Sequence, residues 1–339
     1  MKIHSEELTK IVAEFLSHSG ANVLMAQAAA KALILAESQG LSSHGLSRVN
    51  QYATHLRNGR VNGLANPTVI KRKSGALVVD AQEGLAFGAC ELAVKQAVLA
   101  AKDFGVAFAG VIRSHHCGVV VDHLRAVANA GMVGIGFSNS PAAMPAAGGR
   151  HPIFGTDPIA AVFPRRDGKT PLMIDLSLSE VARGKLMVAA KEGKSIPLGW
   201  ALDGEGLPTT DPKAGLTGSM LPFGSAANSS PKGAMLALMV ELLVTAVIGA
   251  NFGFEASSFF IDEGNRPGLG QVFMVIDPEA LAGQGHFFDR IEQLINEMFK
   301  DEAVRLPGAR REALRLKTFS DGFDVPDELV TTWKSVLFN

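Results

Sequence analysis

The segment Ser42-Ser43-His44-Gly45-Leu46-Ser47-Arg48 holds an imidazole and a guanidinium four residues apart. On a helix such residues are neighbours on one face, so the spacing predicts a proton-transfer group beside an anion clamp. An imidazole near its ordinary pKa can exchange a proton with a hydroxyl or carbonyl oxygen, and a guanidinium can hold a carboxylate through paired hydrogen bonds. That combination suits a small 2-oxo or 2-hydroxy acid. Ser42 and Ser43 at the predicted helix start add hydroxyls and free backbone N–H groups, and Tyr52 extends the face by one turn. The same spacing also describes the ordinary exposed face of an amphipathic helix.

A second group, Ser114-His115-His116-Cys117-Gly118, lies between the strand-like run GVAFAGVIR and a helix expected from about Val119. Adjacent histidines point in different directions, so one functional imidazole, His116, beside one structural one, His115, is expected in place of a shared metal. A hydrogen-bonded turn histidine is the plainer alternative. No HExxH or CxxC accompanies these residues and no GxSxG frame is present, so neither a metal site nor a nucleophilic hydrolase is expected.

Dinucleotide binding through the doubly wound fold would call for GxGxxG. The nearest approach, Gly134-Ile135-Gly136-Phe137-Ser138-Asn139, lacks the third glycine. Other groups can meet phosphate or ribose: Ser138-Asn139-Ser140, Asp175-Leu176-Ser177, Lys232-Gly233 and the stretch from Arg305 to Arg311. Asp175 can equally cap a helix, with Ser177 and Glu180 spaced as a capping box behind it. Lys71-Arg72-Lys73 is expected as a surface turn.

These residues need elements to hold them. Apolar periodicity predicts helices over 5–19 and 21–38, then a third from Ser42 or Ser43 to the Asn58-Gly59 stop. From Ala76 short β-rich runs begin, at 76–81, 105–114, 132–140 and 171–177, separated by helical segments at 87–104 and 119–130. Residues 197–227, rich in Gly, Pro, Ser and Thr, predict a long ordered loop. Met235 to Phe254 is apolar but broken by Glu241, which favours a buried helix over a membrane span. The last fifty residues return to helix, at 288–299 and 310–317, and are expected to pack on the N-terminal helices. The fold class is mixed α and β.

The 339 residues carry a net charge of −1 with both signs interspersed, which gives no electrostatic footprint for nucleic acid or an anionic membrane. Two cysteines in dissimilar contexts fit a reducing compartment, and Glu6 and Glu7 near the start exclude a secretory signal from the expectation. A cytoplasmic protein is expected.

Taken together, the motifs resemble the malate/L-lactate dehydrogenase type 2 family, whose fold is not the doubly wound one. Its pattern SHGxxRxxxYxxxLxxG is present as Ser43-His44-Gly45, Arg48, Tyr52, Leu56 and Gly59. Ile153-Phe154-Gly155-Thr156-Asp157-Pro158 matches a second stretch, with Asp157 where the family has Asn. Asp175-Leu176-Ser177, Ala182-Arg183-Gly184-Lys185, Pro231-Lys232-Gly233 and Gly270-Gln271 follow in order. The run Ser225 to Ser230 departs from the family's Gly-Gly or Gly-Pro before the Lys-Gly pair.

The resemblance implies NAD or NADP as cofactor and a homodimer. It implies a helical domain, 1–72 with 286–339, against a mixed-sheet cofactor domain, 73–285. It also implies that His44 or His116 moves the proton with Ser43 beside it, and that Arg48, Tyr52 and Thr156 face substrate. Ser140, Asp175, Leu176, Ser177, Lys232 and Leu306-Pro307-Gly308 would meet the cofactor. Branches reducing cyclic imines carry an acid at the position of Lys185, so Lys185 favours a 2-hydroxy acid, with room for a second anionic group. Reduction of a pyrroline or piperideine carboxylate is the alternative, and a non-catalytic sensor a remote one.

Overall fold

The computed structural model describes residues 1–225 and 231–335. Helices α1 (Ser5–His18), α2 (Val23–Ser38) and α3 (Val49–Arg57) form the first layer. Leu8, Ile11, Val12, Phe15 and Leu16 recur at helical spacing and are all buried. Asn22 starts α2 by accepting the Met25 N–H at 2.9 Å. The alanines of α2 let it lie close to α1, and Tyr52, Ala53 and Leu56 of α3 complete this core with Trp333. Trp333, on the helix Asp327–Ser335, packs on Phe15 and donates its indole N–H to Asn50 at 2.8 Å. Lys2 and Ile3 pair with Asp324 and Phe323, so the two ends of the chain close on each other. The helix Ala309–Asp321 rests on α2, whereas Gln284–Met298 is tied to the sheet side, Glu292 accepting both Arg165 Nε and Nη2 at 2.8 Å.

The main sheet has seven strands: β1 (Thr68–Lys73), β2 (Ala76–Asp80), β3 (Val106–Ser114), β4 (Val133–Ser138), β5 (Ile159–Phe163), β6 (Leu172–Leu176) and β7 (Leu269–Ile276). Their order is β1-β2-β3-β7-β4-β5-β6, and only β2 and β3 run parallel, joined through the helix Ala86–Phe104. The last strand of this sheet in sequence thus sits at its centre, with Phe273 and Val275 facing one helical layer and Val272 the other. Gly134 and Gly136 serve packing: a Cβ at Gly136 would meet Val120 Cγ1 at 2.9 Å and one at Gly134 would meet Leu124 Cδ2 at 3.1 Å. They let the helical turns Val120–His123 and Arg125–Asn129 lie against β4.

The fold is the mixed α and β expected, with four corrections. Lys71-Arg72-Lys73 is no turn but the end of edge strand β1, where exposed charges discourage further strand pairing. The expected loop over 197–227 is largely structured. Ala201–Leu202, Pro208–Thr209 and Ser219–Met220 form a three-stranded sheet around the helix Pro212–Thr217; Ala226 and Ala227 lie outside the described residues. Leu186, Ile196, Ala201 and Met220 join Phe137, Val240 and Val272 in one core cluster and anchor this segment to the main sheet, which turn residues conceal in the sequence. The apolar run from Met235 is the helix Lys232–Val244, buried on one face only: Met235, Leu238, Met239 and Leu242 are exposed. Finally, the Ser177–Glu180 capping box does not form. The next helix starts at Arg183, Ser177 Oγ meets Ser179 Oγ at 3.0 Å, and Glu180 accepts the Gly224 N–H at 2.8 Å. No helix among the described residues is long and apolar enough to cross a membrane.

Candidate active site

The backbone at 42–48 is not the expected α-helix. Two 3₁₀ turns, Ser42–His44 and Leu46–Arg48, are divided at Gly45, and regular helix begins only at Val49. Glu37 of α2 is the cause. Its carboxylate accepts the Ser42 hydroxyl and the Leu46 N–H, each at 2.8 Å, and occupies the space a side chain at 45 would need. Helical ladder bonds are exchanged for charge-assisted ones, and the chain turns His44 toward His116, with ring centroids 5.4 Å apart.

Strand β3 ends at Ser114, and the rings of the two histidines that follow do not diverge as expected: both pack on Phe259, at 4.9 and 5.2 Å between centroids, but they make different hydrogen bonds. His115 is buried: its Nε2 meets His55 Nδ1 at 3.1 Å and its ring packs on Phe259. His116 Nδ1 lies 2.5 Å from the buried Tyr52 hydroxyl. With Nδ1–H donating to Tyr52, Nε2 keeps its lone pair for the site. Arg48 donates Nε to the Ser43 carbonyl and Nη1 to Gln51, both at 2.7 Å, which fixes its plane, and its guanidinium lies 4.9 Å from the Phe260 ring centre. Gln51 in turn donates to the Phe259 carbonyl, so the Phe259-Phe260 pair roofs the cluster.

This cluster is poor in water and rich in positive charge. Burial lowers the His44 pKa to about 4, with the Arg48 and Arg311 charges adding to it. Burial likewise holds His116 well below the ordinary imidazole range, helped by Arg48. Both are therefore neutral near pH 7, the state a proton acceptor requires. Burial also raises the Tyr52 phenol, which remains protonated.

Beside the imidazoles, Ser140 and Thr156 form a polar wall. Ser140 Oγ accepts the Thr156 N–H at 3.0 Å and meets Thr156 Oγ1 at 3.4 Å. Behind it lies an acidic pair. Glu241 accepts Asn139 Nδ2 at 3.2 Å and the Gly155 and Gly253 N–H groups at 3.4 and 3.3 Å. Asp157 is fully buried, and neither carboxyl oxygen has a partner. Burial, then the nearby Glu241, drives its pKa well above the usual carboxylate range.

A third group lies on the far side. The Val121 N–H donates to Asp175 Oδ2 at 3.3 Å, and Arg311 Nη1 lies 3.6 Å from the same oxygen. Burial raises the Asp175 pKa to about 6 against the pull of Arg311. The Leu306-Pro307-Gly308 turn is held to β6 by the Met173 N–H, 3.1 Å from the Pro307 carbonyl, and leads into the N-terminus of Ala309–Asp321. Gly308 has φ +87°, and a Cβ there would press on Met173. A dinucleotide fits this edge on one observation: Arg311 Nη1 is buried with the Asp175 carboxylate at 3.6 Å but no hydrogen bond, which leaves its donors for a phosphate. Leu176 is exposed on the same strand and Ser177 follows it.

Lys185 does not join the imidazoles. It is exposed, its Nζ 5.8 Å from the Trp200 ring centre. Lys232 is the exposed first residue of its helix, and the preceding residues 226–230, with the sequence departure noted there, lie outside the described residues. Sequence reasoning missed Phe259 and Phe260 and gave no role to Arg183, present there only within a matching motif, whose guanidinium lies 5.3 Å from the Phe260 ring centre. They are remote in sequence, and no spacing rule connects them to residue 48. Among the described residues no group of three or more His, Cys, Asp or Glu converges as a metal site would.

The malate/L-lactate dehydrogenase family model matches residues 3–334. A (2R)-3-sulfolactate dehydrogenase (NADP(+)) of Chromohalobacter salexigens is 46% identical over 306 residues, 90% of this chain and 89% of that protein. A delta(1)-pyrroline-2-carboxylate reductase of Burkholderia ambifaria is 34% identical, covering 96% of each. Among solved structures, sulfolactate dehydrogenase from Methanocaldococcus jannaschii superposes with a TM-score of 0.88 at 31% identity, over 100% of this chain and 97% of that one. Delta1-piperideine-2-carboxylate reductase from Pseudomonas syringae gives 0.90 at 32%, over 99% of each. Motifs, mixed sheet and near full-length matches agree, and the chain belongs to the malate/L-lactate dehydrogenase family of nicotinamide-dependent oxidoreductases.

Proposed function

We propose that this enzyme interconverts a small 2-hydroxy acid and its 2-oxo acid, of the sulfolactate or malate type, with NADP as the preferred cofactor. The observation that carries the reading is the Tyr52–His116 pair, 2.5 Å apart, beside a guanidinium whose plane is already fixed. In the oxidation direction Arg48 holds the C1 carboxylate. His116 Nε2 accepts the C2 hydroxyl proton while the C2–H bond breaks, and its electron pair leaves as hydride. A bound nicotinamide supplies the hydride acceptor. Tyr52 continues to accept the Nδ1–H bond as the ring becomes imidazolium, which strengthens it, and Thr156 and Ser140 orient the nascent carbonyl. His44, held at 3.0 Å by Ser43 Oγ, flanks the substrate and reinforces exclusion of water.

The cofactor edge is assigned to Ser140, Asp175, Leu176, Ser177, Lys232, Leu306, Pro307 and Gly308, with Arg311 added. The helical layer and the mixed-sheet unit act as the two walls of the cleft. The exposed face of Met235, Leu238, Met239 and Leu242 supports a homodimer, which a sedimentation measurement tests. Two buried free cysteines suit a reducing cytoplasm.

The test is a nicotinamide absorbance assay with sulfopyruvate, oxaloacetate, pyruvate and the cyclic imines, each with NADH and NADPH. Turnover of the oxo acids with NADPH is expected. The relatives at 34% identity that are named pyrroline carboxylate reductases support the second reading, and turnover confined to the imines would overturn the first.

A further inference from the structure

Half-buried arginines in this protein are mostly paired with carboxylates: Arg125 with Asp122 and Glu312, Arg165 with Glu292, Arg315 with Glu312. Two that border the site are not. Among the described residues neither Arg48 nor Arg183 has a carboxylate within salt-bridge distance. Among those residues Arg183 makes a single hydrogen bond, from Nη2 to the Leu216 carbonyl at 3.1 Å. Burial lowers the pKa of both, as expected for a cation held away from water without a counter-ion.

What these two share is Phe260. Their guanidinium carbons lie 4.9 and 5.3 Å from its ring centre, which places them no more than about 10 Å apart. Cation–π contact holds each in place without neutralising it. A three-carbon acid charged at both ends bridges such a gap when each end makes its own charge-assisted hydrogen bonds of about 2.8 Å. Lys185, two residues further along the same helix, leans on Trp200 instead and stays in water, where a point charge attracts anions weakly.

We infer that Arg183, and not Lys185, holds a second anionic group of the substrate, a sulfonate or carboxylate at the end remote from Arg48, and so selects dianionic over monoanionic 2-hydroxy acids. The inference rests on the proposed 2-hydroxy acid chemistry. Arg183 is a specificity determinant: C2 chemistry proceeds without it, and only substrates with a charged C3 substituent feel it.

The experiment compares wild type, Arg183→Gln, Arg183→Lys and Lys185→Gln on sulfopyruvate, oxaloacetate and pyruvate. Arg183→Gln is expected to raise KM for the two dianions about 10- to 100-fold and to leave kcat/KM for pyruvate within about twofold, with Arg183→Lys intermediate. Equal losses on all three substrates, no loss on any, or a dianion-selective loss in Lys185→Gln instead would overturn it. Thermal stabilisation by 3-sulfopropanoate relative to propanoate is measured on the same proteins and needs no turnover. If wild type reduces no 2-oxo acid, the reaction assignment fails. The dianion preference in thermal shift, present in wild type and absent from Arg183→Gln, still decides the role of Arg183. A variant that does not fold is recognised by its circular dichroism, and Arg183→Lys then carries the comparison.

Discussion

The Tyr52 hydroxyl and His116 Nδ1 are 2.5 Å apart although 64 residues separate them, one on a helix of the N-terminal layer and the other just past a central strand. Formation of the site is therefore coupled to docking of the helical layer on the sheet. The contact occupies Nδ1 and leaves Nε2 as the free ring nitrogen, because a nitrogen engaged by a phenol is no longer available to substrate. Tyr52→Phe removes the hydroxyl and little volume. It is expected to lower kcat about 10- to 100-fold with KM for the acid changed less than about threefold, and His116→Ala to lower kcat further, by about 10³-fold or more. Steady-state kinetics with saturating NADPH check both. A His116→Ala variant with near-normal kcat would remove His116 from the mechanism, and the same loss in His44→Ala would reassign the proton to that residue.

Arg48 presents a guanidinium plane fixed by two hydrogen bonds, which a lysine ammonium cannot reproduce. Arg48→Lys is expected to raise KM for every 2-oxo acid about 10-fold or more, mono- and dianionic alike, because each carries the C1 carboxylate. That uniform loss distinguishes Arg48 from Arg183. An unchanged KM for pyruvate in Arg48→Lys would show that the carboxylate binds elsewhere.

The pH dependence follows from the direction of the histidine shifts. His44 is lowered to about 4 and His116 well below its ordinary value, so both are neutral in the free enzyme from neutral pH down to moderately acidic conditions. For oxidation, kcat/KM reports the free enzyme and should show no acidic limb near pH 6.5. A substrate carboxylate cancels part of the Arg48 charge that depresses both rings, so the limb in kcat should lie at higher pH than the limb in kcat/KM. Stability follows the same linkage. A histidine with a depressed folded pKa favours folding above its unfolded value near 6.5, and that contribution falls as pH drops below it. Coincident limbs in the two profiles would mean that Arg48 does not set the imidazole pKa.

The parts of the site that local rules govern were legible in the sequence. Arg48 and Tyr52 stand one helical turn apart, and the His115-His116 pair sits at the strand end where the β-rich run stops, whereas His44 reaches the cluster through the two 3₁₀ turns that replace the expected helix. The edges of β2, β3, β4 and β6 followed from β-rich runs between turn residues. What was illegible depends on distant chain segments. Glu37 breaks the helix at Gly45 through contacts nine residues away in sequence, and no propensity encodes that. Phe260 and Arg183 meet Arg48 across more than a hundred residues. Ile159–Phe163 is short and lies between loops, so its place in the sheet is set by its neighbours on either side. The charges of Lys71 to Lys73 suggested a turn because an edge strand, exposed on its open side, tolerates the same residues.

Asp157, where the resemblance implies Asn, sits badly. Its φ is +40°, a left-handed conformation that Asn tolerates better than most side chains, and both oxygens are buried without partners near the Glu241 carboxylate. Its folded pKa is raised, so the folded state holds a proton there that the unfolded chain releases near pH 4. Stability from this group is complete below that pH and is lost progressively as pH rises toward the folded pKa. Asp157→Asn supplies a neutral side chain at every pH. It is expected to stabilise the protein by about 1–3 kcal/mol at pH 8, the order of one unsatisfied buried polar group, and by much less at pH 4. Thermal or urea unfolding at the two pH values measures the difference. Because the amide has nearly the shape of the protonated carboxyl and so leaves Gly155 and Thr156 in place, the variant should keep KM and kcat within about threefold. A destabilised Asp157→Asn at pH 8 would mean that the Asp157 carboxyl makes a stabilising contact with Glu241, its proton shared between the two acids.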